Sequence, residues 1–201
     1  MTILSIPTGI QIRSSSFGLK YNTQRFTSPL NGFTQRLNLP GAKWFASYTL
    51  ASSKRANIAE VQAFLAKLRG GANSFYGYDP DGKVLLGAGG GTPLVKGASQ
   101  TGSTLLIDGA TAGVTNWLKM GDYFEVNGEY KMVTANINTN GSGEATITFE
   151  PPLRNSPADN AAVNITTPRC QMMLIEDDAC QWAANYAGVY EISFSGVEVL
   201  S

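Results

Sequence analysis

The passage from Gly41 to Gly82 constrains this chain most, because it sets a strongly periodic helix pattern between two strand patterns. It opens on GAKWFASYTL, where Trp44, Ala46, Tyr48 and Leu50 fall on one face of a strand and Lys43, Phe45, Ser47 and Thr49 on the other. After a polar connection, Ala51 to Ala56, the spacing predicts a helix over Asn57 to Arg69. Ile58, Val61, Leu65 and Leu68, with Phe64 alongside, form its apolar stripe. Asn57 is expected to cap the first turn, with Glu60 in the capping-box position, and Gly70-Gly71 supplies a left-handed stop.

A helix of this length is roughly 20 Å long and too short to stand alone, so its stripe must dock on a sheet. The flanking segments Lys43–Leu50 and Ser74–Tyr78 are the expected sheet, with Trp44, Tyr48, Ile58, Val61, Phe64, Leu65, Leu68 and Phe75 as the core. Asp79-Pro80-Asp81-Gly82 reads as a tight turn that closes the unit.

Before this unit, Thr8 to Arg13 alternates, with Ile10 and Ile12 on one face. Leu19 to Asn31 reads as an extended loop or irregular hairpin. Phe33, Gln35 and Leu37 then share one face of a strand, with Thr34 and Arg36 on the other. After the unit, Lys83 to Leu86 reads as a strand. The glycine-rich run Gly87 to Pro93 lacks the Gly-Lys-Ser/Thr of a phosphate loop and reads as a flexible junction.

From there to about Thr167 short strands alternate with turns. Tyr123–Val126 and Glu129–Val133 flank Asn127-Gly128, a strong hairpin signal, and Ala145, Ile147 and Phe149 alternate with threonines. Such a run predicts a small β-barrel. Met172 to Ile175 reads as a fully buried strand. Tyr190, Ile192 and Phe194 alternate with polar residues until Gly196, where the parity changes and a β-bulge is expected. These last strands need a larger sheet to pair with. The chain therefore reads as mainly β: a β-sandwich with one short helix, built from residues 1–90 and 168–201, carrying an inserted small β-barrel over 91–167.

Composition narrows the chemistry. Lys+Arg and Asp+Glu are both 15, and only 15% of the 201 residues are charged, which argues against a strong phosphate-neutralising field and against a polybasic membrane contact. The weak charge fits either a surface covered by other subunits or a weakly charged soluble β protein. No run of residues is long and apolar enough for a membrane-spanning helix, and the start has no basic signal-peptide pattern, so a cytosolic protein or one released by lysis is expected.

With no histidine, imidazole-dependent triads, bases and zinc sites are excluded. Cys170 and Cys180 lack CxxC spacing and read as packed thiols, a disulfide between them being the alternative. Glu176-Asp177-Asp178 reads as a solvated corner, a cation site being the alternative. No hydroxyl has a nearby activating base, and no carboxylate pair is fixed by spacing, so a non-enzymatic protein without cofactors or metals is expected.

The organising stretch combines Gly41-Ala42-Lys43-Trp44, a helix ending Ala63 to Gly70 (AFLAKLRG), and Phe75 to Pro80 (FYGYDP). With Ser28-Pro29-Leu30, Gln35, and Gly121-Asp122 through Pro151-Pro152-Leu153, it resembles the distal tail proteins and related minor tail proteins of long-tailed bacteriophages. The resemblance implies a homo-oligomeric ring, six copies, at the tail tip. Such a ring continues the tail tube, surrounds the tape-measure protein and meets the baseplate hub, in a virion assembled in the host cytoplasm. It also implies that the barrel points outward, toward receptor-binding proteins or cell-surface glycans.

Phe26, Pro29 and Leu30 are then the expected intersubunit contacts. The competing reading is a two-module carbohydrate-binding or adhesin-like protein, with Trp117, Tyr123 and Tyr130 as sugar-stacking or partner contacts.

Overall fold

The computed structural model describes residues 2–9, 11–178 and 181–200. The protein is mainly β, with one α-helix and three sheets, one of them a nearly closed six-strand barrel. Contacts divide it into two compact units, residues 1–75 with 171–201, and residues 76–170.

The elements run β1 (Ile3–Ser5), β2 (Ile12–Thr27), β3 (Thr34–Leu50), β4 (Ser53–Lys54), α1 (Arg55–Leu68) and β5 (Ser74–Gly77). Next come β6 (Gly91–Val95), β7 (Gly102–Ala110), β8 (Tyr123–Val126), β9 (Glu129–Val133), β10 (Ala145–Leu153) and β11 (Val163–Asn164). The chain ends with β12 (Cys170–Leu174), β13 (Ala183–Ala184), β14 (Val189–Glu191) and β15 (Ser193–Glu198). The first sheet has the order β1-β5-β12-β15-β3-β2, and β13-β14-β4 form a small three-stranded sheet.

In the first unit, Trp44, Ala46, Tyr48 and Leu50 alternate inward along β3, as the period of two requires. The helix buries Ile58, Val61, Phe64, Leu65 and Leu68. Phe64 meets Phe75 and Phe194 edge-on, at centroid distances of 6.0 and 6.1 Å, so the stripe docks on the sheet through aromatic rings. The late strand β15 pairs antiparallel with β3 on one side and β12 on the other.

Several local expectations are corrected. The helix begins at Arg55, with Lys54 at its N-cap position and no side-chain cap, so Asn57 lies inside it and does not cap. Its left-handed exit is Arg69 (φ 52°), followed by Gly70 (φ 63°). No bulge forms at Gly196: pairing with β3 runs unbroken from Ser193↔Thr49 to Val197↔Phe45. Inward alternation continues through Phe194, Gly196 and Glu198. Gly196 is a core position kept empty, since a Cβ there would sit 2.6 Å from Phe75 Cζ. The buried Glu198 carboxylate accepts the Trp44 N–H at 3.0 Å.

Met172–Ile175 is not uniformly buried. In β12 Cys170, Met172 and Leu174 point inward and Met173 does not, and Ile175 is exposed. At the start, Ile12 and Arg13 belong to β2, Thr8 and Gly9 are in a turn, and Ile10 lies outside the described residues, as does Cys180. Cys170 is a buried free thiol.

The second unit contains the barrel, in the order β11-β8-β9-β10-β7-β6. Its ends approach through a Leu94↔Ala162 bridge and the Val95 N–H, which donates to the Ala161 carbonyl at 2.9 Å. The Asn127-Gly128 turn joins β8 and β9 with Val126 opposite Glu129, as the dipeptide predicts. Residues 83–86 form no strand; a short 3-10 turn, Asp81–Lys83, precedes them.

The glycine-rich run is not a loose junction either. The Asp122 carboxylate accepts the N–H groups of Leu86 (2.6 Å), Gly87 (3.0 Å) and Lys119 (2.7 Å). Gly87 lies so close to Trp117 that a Cβ would sit 2.5 Å from its carbonyl oxygen. Glycine here permits close packing rather than flexibility.

Candidate interaction surface

The unusual feature of the first unit is the outer half of the β2–β3 hairpin. Beyond Lys20↔Lys43 the register jumps to Asn22↔Leu39, leaving one residue in β2 opposite three in β3. Those three are Pro40, Gly41 and Ala42, and Gly41 takes φ 102°, a conformation that favours glycine. This bulge separates the half of β3 that alternates inward from a half with no buried residue.

From the bulge, β2 and β3 continue as a two-stranded arm with six registered pairs, Asn22↔Leu39 to Thr27↔Thr34. At its tip the Ser28 N–H donates to the Phe33 carbonyl (2.9 Å) and the Gly32 N–H to the Ser28 carbonyl (3.0 Å). The region read as an extended loop or irregular hairpin is thus a hairpin, bulged at its root and regular beyond it. Its root holds a depression of about 240 Å³ lined by Lys20, Tyr21, Asn22, Gly41, Lys43 and Phe45.

Directly opposed residues share a face of a ribbon. One face of the arm therefore carries Phe26, Leu37 and Leu39 with Gln24, Gln35 and Asn22. The other carries Thr23, Asn38, Arg25, Arg36, Thr27 and Thr34. Phe26 is 65% exposed, Leu37 56%, Phe33 74% and Leu30 95%. Pro29 is exposed beside Leu30 at the tip.

All three expected contact residues, Phe26, Pro29 and Leu30, thus lie on this arm. The sequence reading missed Phe33 and Leu37 as companions, although the shared parity of Gln35 and Leu37 was visible. A two-stranded ribbon is marginal in water without a third strand or a covering layer, and this one offers apolar side chains to solvent.

The aromatic residues that the carbohydrate-binding alternative assigns to sugars are buried. Trp117 is fully buried among Leu105, Phe124, Ile147 and other barrel residues, and its Nε1–H donates to the Gly90 carbonyl at 2.9 Å. Tyr123 and Tyr130 stack on each other at 4.9 Å, with the Tyr123 hydroxyl donating to Asp79 at 3.0 Å. Burial, reinforced for Tyr123 by the Asp79 charge, holds both phenols protonated far above their usual range. None of the three presents a free ring face: Trp117 belongs to the barrel core, whereas Tyr123 and Tyr130 are buried on the other face of β8–β9, with Tyr123 against Asp79 and Gly82. The exposed large apolar side chains of the second unit are instead Val84, Leu86, Leu106 and Met120, the first two in the stretch read from the sequence as a strand.

Inside the barrel, Lys131 is fully buried. Its Nζ donates to Glu129 Oε2 (2.6 Å) and the Pro152 carbonyl (2.8 Å), and lies 5.8 Å from the Phe149 ring centroid. Glu129 also accepts the N–H groups of Arg154 (3.0 Å) and Asn155 (2.9 Å). Burial pushes the Glu129 carboxyl up, but Lys131 and these two amides outweigh it and hold the group below its ordinary value. This network ties β9 to the chain leaving β10 and reads as structural.

At the acidic corner, Asp177 Oδ1 accepts the Gly71 N–H at 3.0 Å, which fixes the turn after the helix. Among the described residues no group of three or more His, Cys, Asp or Glu side chains is arranged to hold a metal ion. Among the described residues no helix is long and apolar enough to cross a membrane. Compared with known protein families and with curated proteins, the chain matches none of them.

Proposed function

We propose that this protein is a structural, non-enzymatic component of a bacteriophage tail tip. Copies join side by side into a ring of six that links the tail tube to the baseplate hub around the tape-measure protein, and the ring supports peripheral receptor-binding parts. The observation that carries this reading is the arm of residues 21–41, a regular ribbon with Phe26, Leu30, Phe33 and Leu37 exposed. Such a ribbon gains a covering layer when it lies on another chain, and an interface between unlike patches closes into a ring when its rotation permits. The tail-protein likeness of Gly41 to Pro80 supplies the setting, and the exposed Val84, Leu86 and Met120 of the barrel are the candidate contacts for peripheral parts.

Mass measurement and negative-stain imaging of the purified protein test the reading. Closed rings of one copy number are expected. A particle that stays monomeric at high concentration and is missing from rings in assembled tails would refute it.

A further inference from the structure

We infer that the paired cations of the β2–β3 hairpin, Arg25 and Arg36 on the arm with Lys20 and Lys43 at its root, dock on the acidic C-terminal segment of a second copy of this chain, an inference that rests on the ring reading above. The register places Arg25 directly opposite Arg36 and Lys20 directly opposite Lys43. Like charges in directly opposed positions destabilise a strand pair, and a ribbon that needed only solubility would be served by mixed signs. Lys20 is partly relieved by the Phe45 ring, 5.4 Å from its Nζ. None of the four forms a salt bridge among the described residues. No Asp or Glu occurs in the chain before Glu60, so the hairpin has no acid of its own to answer them.

The complementary charge lies at the other end of the same unit. From residue 171 onward the chain carries Glu176, Asp177, Asp178, Glu191 and Glu198 and no Lys or Arg. The total charge of zero conceals this segregation. Most acids of residues 76–170 are already committed: Asp79, Asp122, Glu125, Glu129, Glu144, Glu150 and Asp159 each accept a hydrogen bond within the unit. In the C-terminal segment, Glu198 is buried on the Trp44 amide and Asp177 holds Gly71. Glu176 and Asp178 remain exposed, and Glu176 lines a recess of about 300 Å³ with Ile175, Ser193, Phe194 and Ser195.

Donor and receiver are different patches of one chain, so the contact can repeat head-to-tail from copy to copy, as a ring requires. In a two-fold dimer both contacts would have to form at once between the same two copies.

The test uses the full chain and sedimentation velocity at about 0.05 M and about 0.5 M salt, a range over which exposed charge pairs are progressively screened. Assembly of the wild type should weaken at high salt. Arg25→Glu/Arg36→Glu and Glu176→Lys/Asp178→Lys should each weaken it at least about tenfold, and all four substitutions in one chain should restore it. The neutral Arg25→Gln/Arg36→Gln pair guards against misfolding: it removes the cross-strand repulsion, so the monomer should melt no lower than wild type while assembly weakens. If the wild type forms rings that neither reversal disturbs, the inference fails and the ring reading stands. A wild type that stays monomeric in solution defeats the inference, and one also missing from the rings of assembled tails defeats both. Loss on arginine reversal without rescue, or arginine-dependent binding of a duplex DNA probe with the acid reversal silent, overturns the choice of partner.

Discussion

Replacing Lys131 by methionine tests the packing logic of the barrel. The substitution keeps most of the side-chain volume against Phe149 but removes the ammonium that bonds Glu129 at 2.6 Å and the Pro152 carbonyl at 2.8 Å. Breaking a buried ion pair by deleting one partner typically costs about 3–5 kcal/mol, because an uncompensated charge stays behind. Here Glu129 keeps the Arg154 and Asn155 amides and the Arg154 guanidinium, whose Nε lies 3.7 Å from Oε2, so the loss should fall near the lower figure, about 3 kcal/mol.

The pH dependence gives the argument its sign. In the wild type the Glu129 carboxyl is held below its ordinary value of 4.5, so it contributes stability that is present above the unfolded-state value and lost as pH falls through the folded one. In Lys131→Met burial is left opposed by the two amides, and protonation of Glu129 relieves the penalty. The gap between wild type and variant should therefore shrink on acidification toward pH 4.5 and below. Urea denaturation of the full-length proteins across that range measures it. A loss under about 1 kcal/mol at neutral pH, or a gap that widens as pH falls, would refute the reasoning.

Two further substitutions probe other parts. Gly196→Ala puts a methyl 2.6 Å from Phe75 Cζ and should cost about 1–3 kcal/mol in thermal or urea unfolding, with Phe75→Leu in the same chain recovering part of the loss. Asp122→Ala leaves the amides of Leu86, Gly87 and Lys119 without their carboxylate. It should lower stability by about 2–4 kcal/mol and open residues 84–91 to limited proteolysis, whereas a true flexible linker would be cut equally in both proteins.

What the sequence made legible was whatever one buried face had written into it. The Ile58–Leu68 stripe, the inward alternation of Trp44 to Leu50 and the turn at Asn127-Gly128 all follow from burial on one side or from one turn type. The arm left no such trace. Both of its faces meet solvent, so Tyr21 to Thr27 show no alternation and read as an extended loop or irregular hairpin, although every residue from Asn22 to Thr27 has a registered partner.

The glycines at 87–91 misled for a different reason. A glycine chosen for close approach to Trp117 and one chosen for flexibility are the same letter. Gly196 simulated a change of parity because an empty core position precedes Glu198, a buried carboxylate where an apolar residue is the usual choice. Lys131 and Trp117 show the limit for single side chains. Neither the burial of the lysine nor that of the tryptophan follows from neighbours in sequence; both depend on strands brought over by barrel closure.

The central claim is that the arm of residues 21–41 becomes covered when copies meet. Amide hydrogen exchange along this segment, measured below and above the concentration at which the protein assembles, tests it most directly. The account predicts fast exchange in the dilute protein, as a marginal two-stranded ribbon allows, and strong protection of these amides in the assembly while the barrel amides are unchanged. Equal exchange in the two conditions, with protection appearing elsewhere, would contradict it.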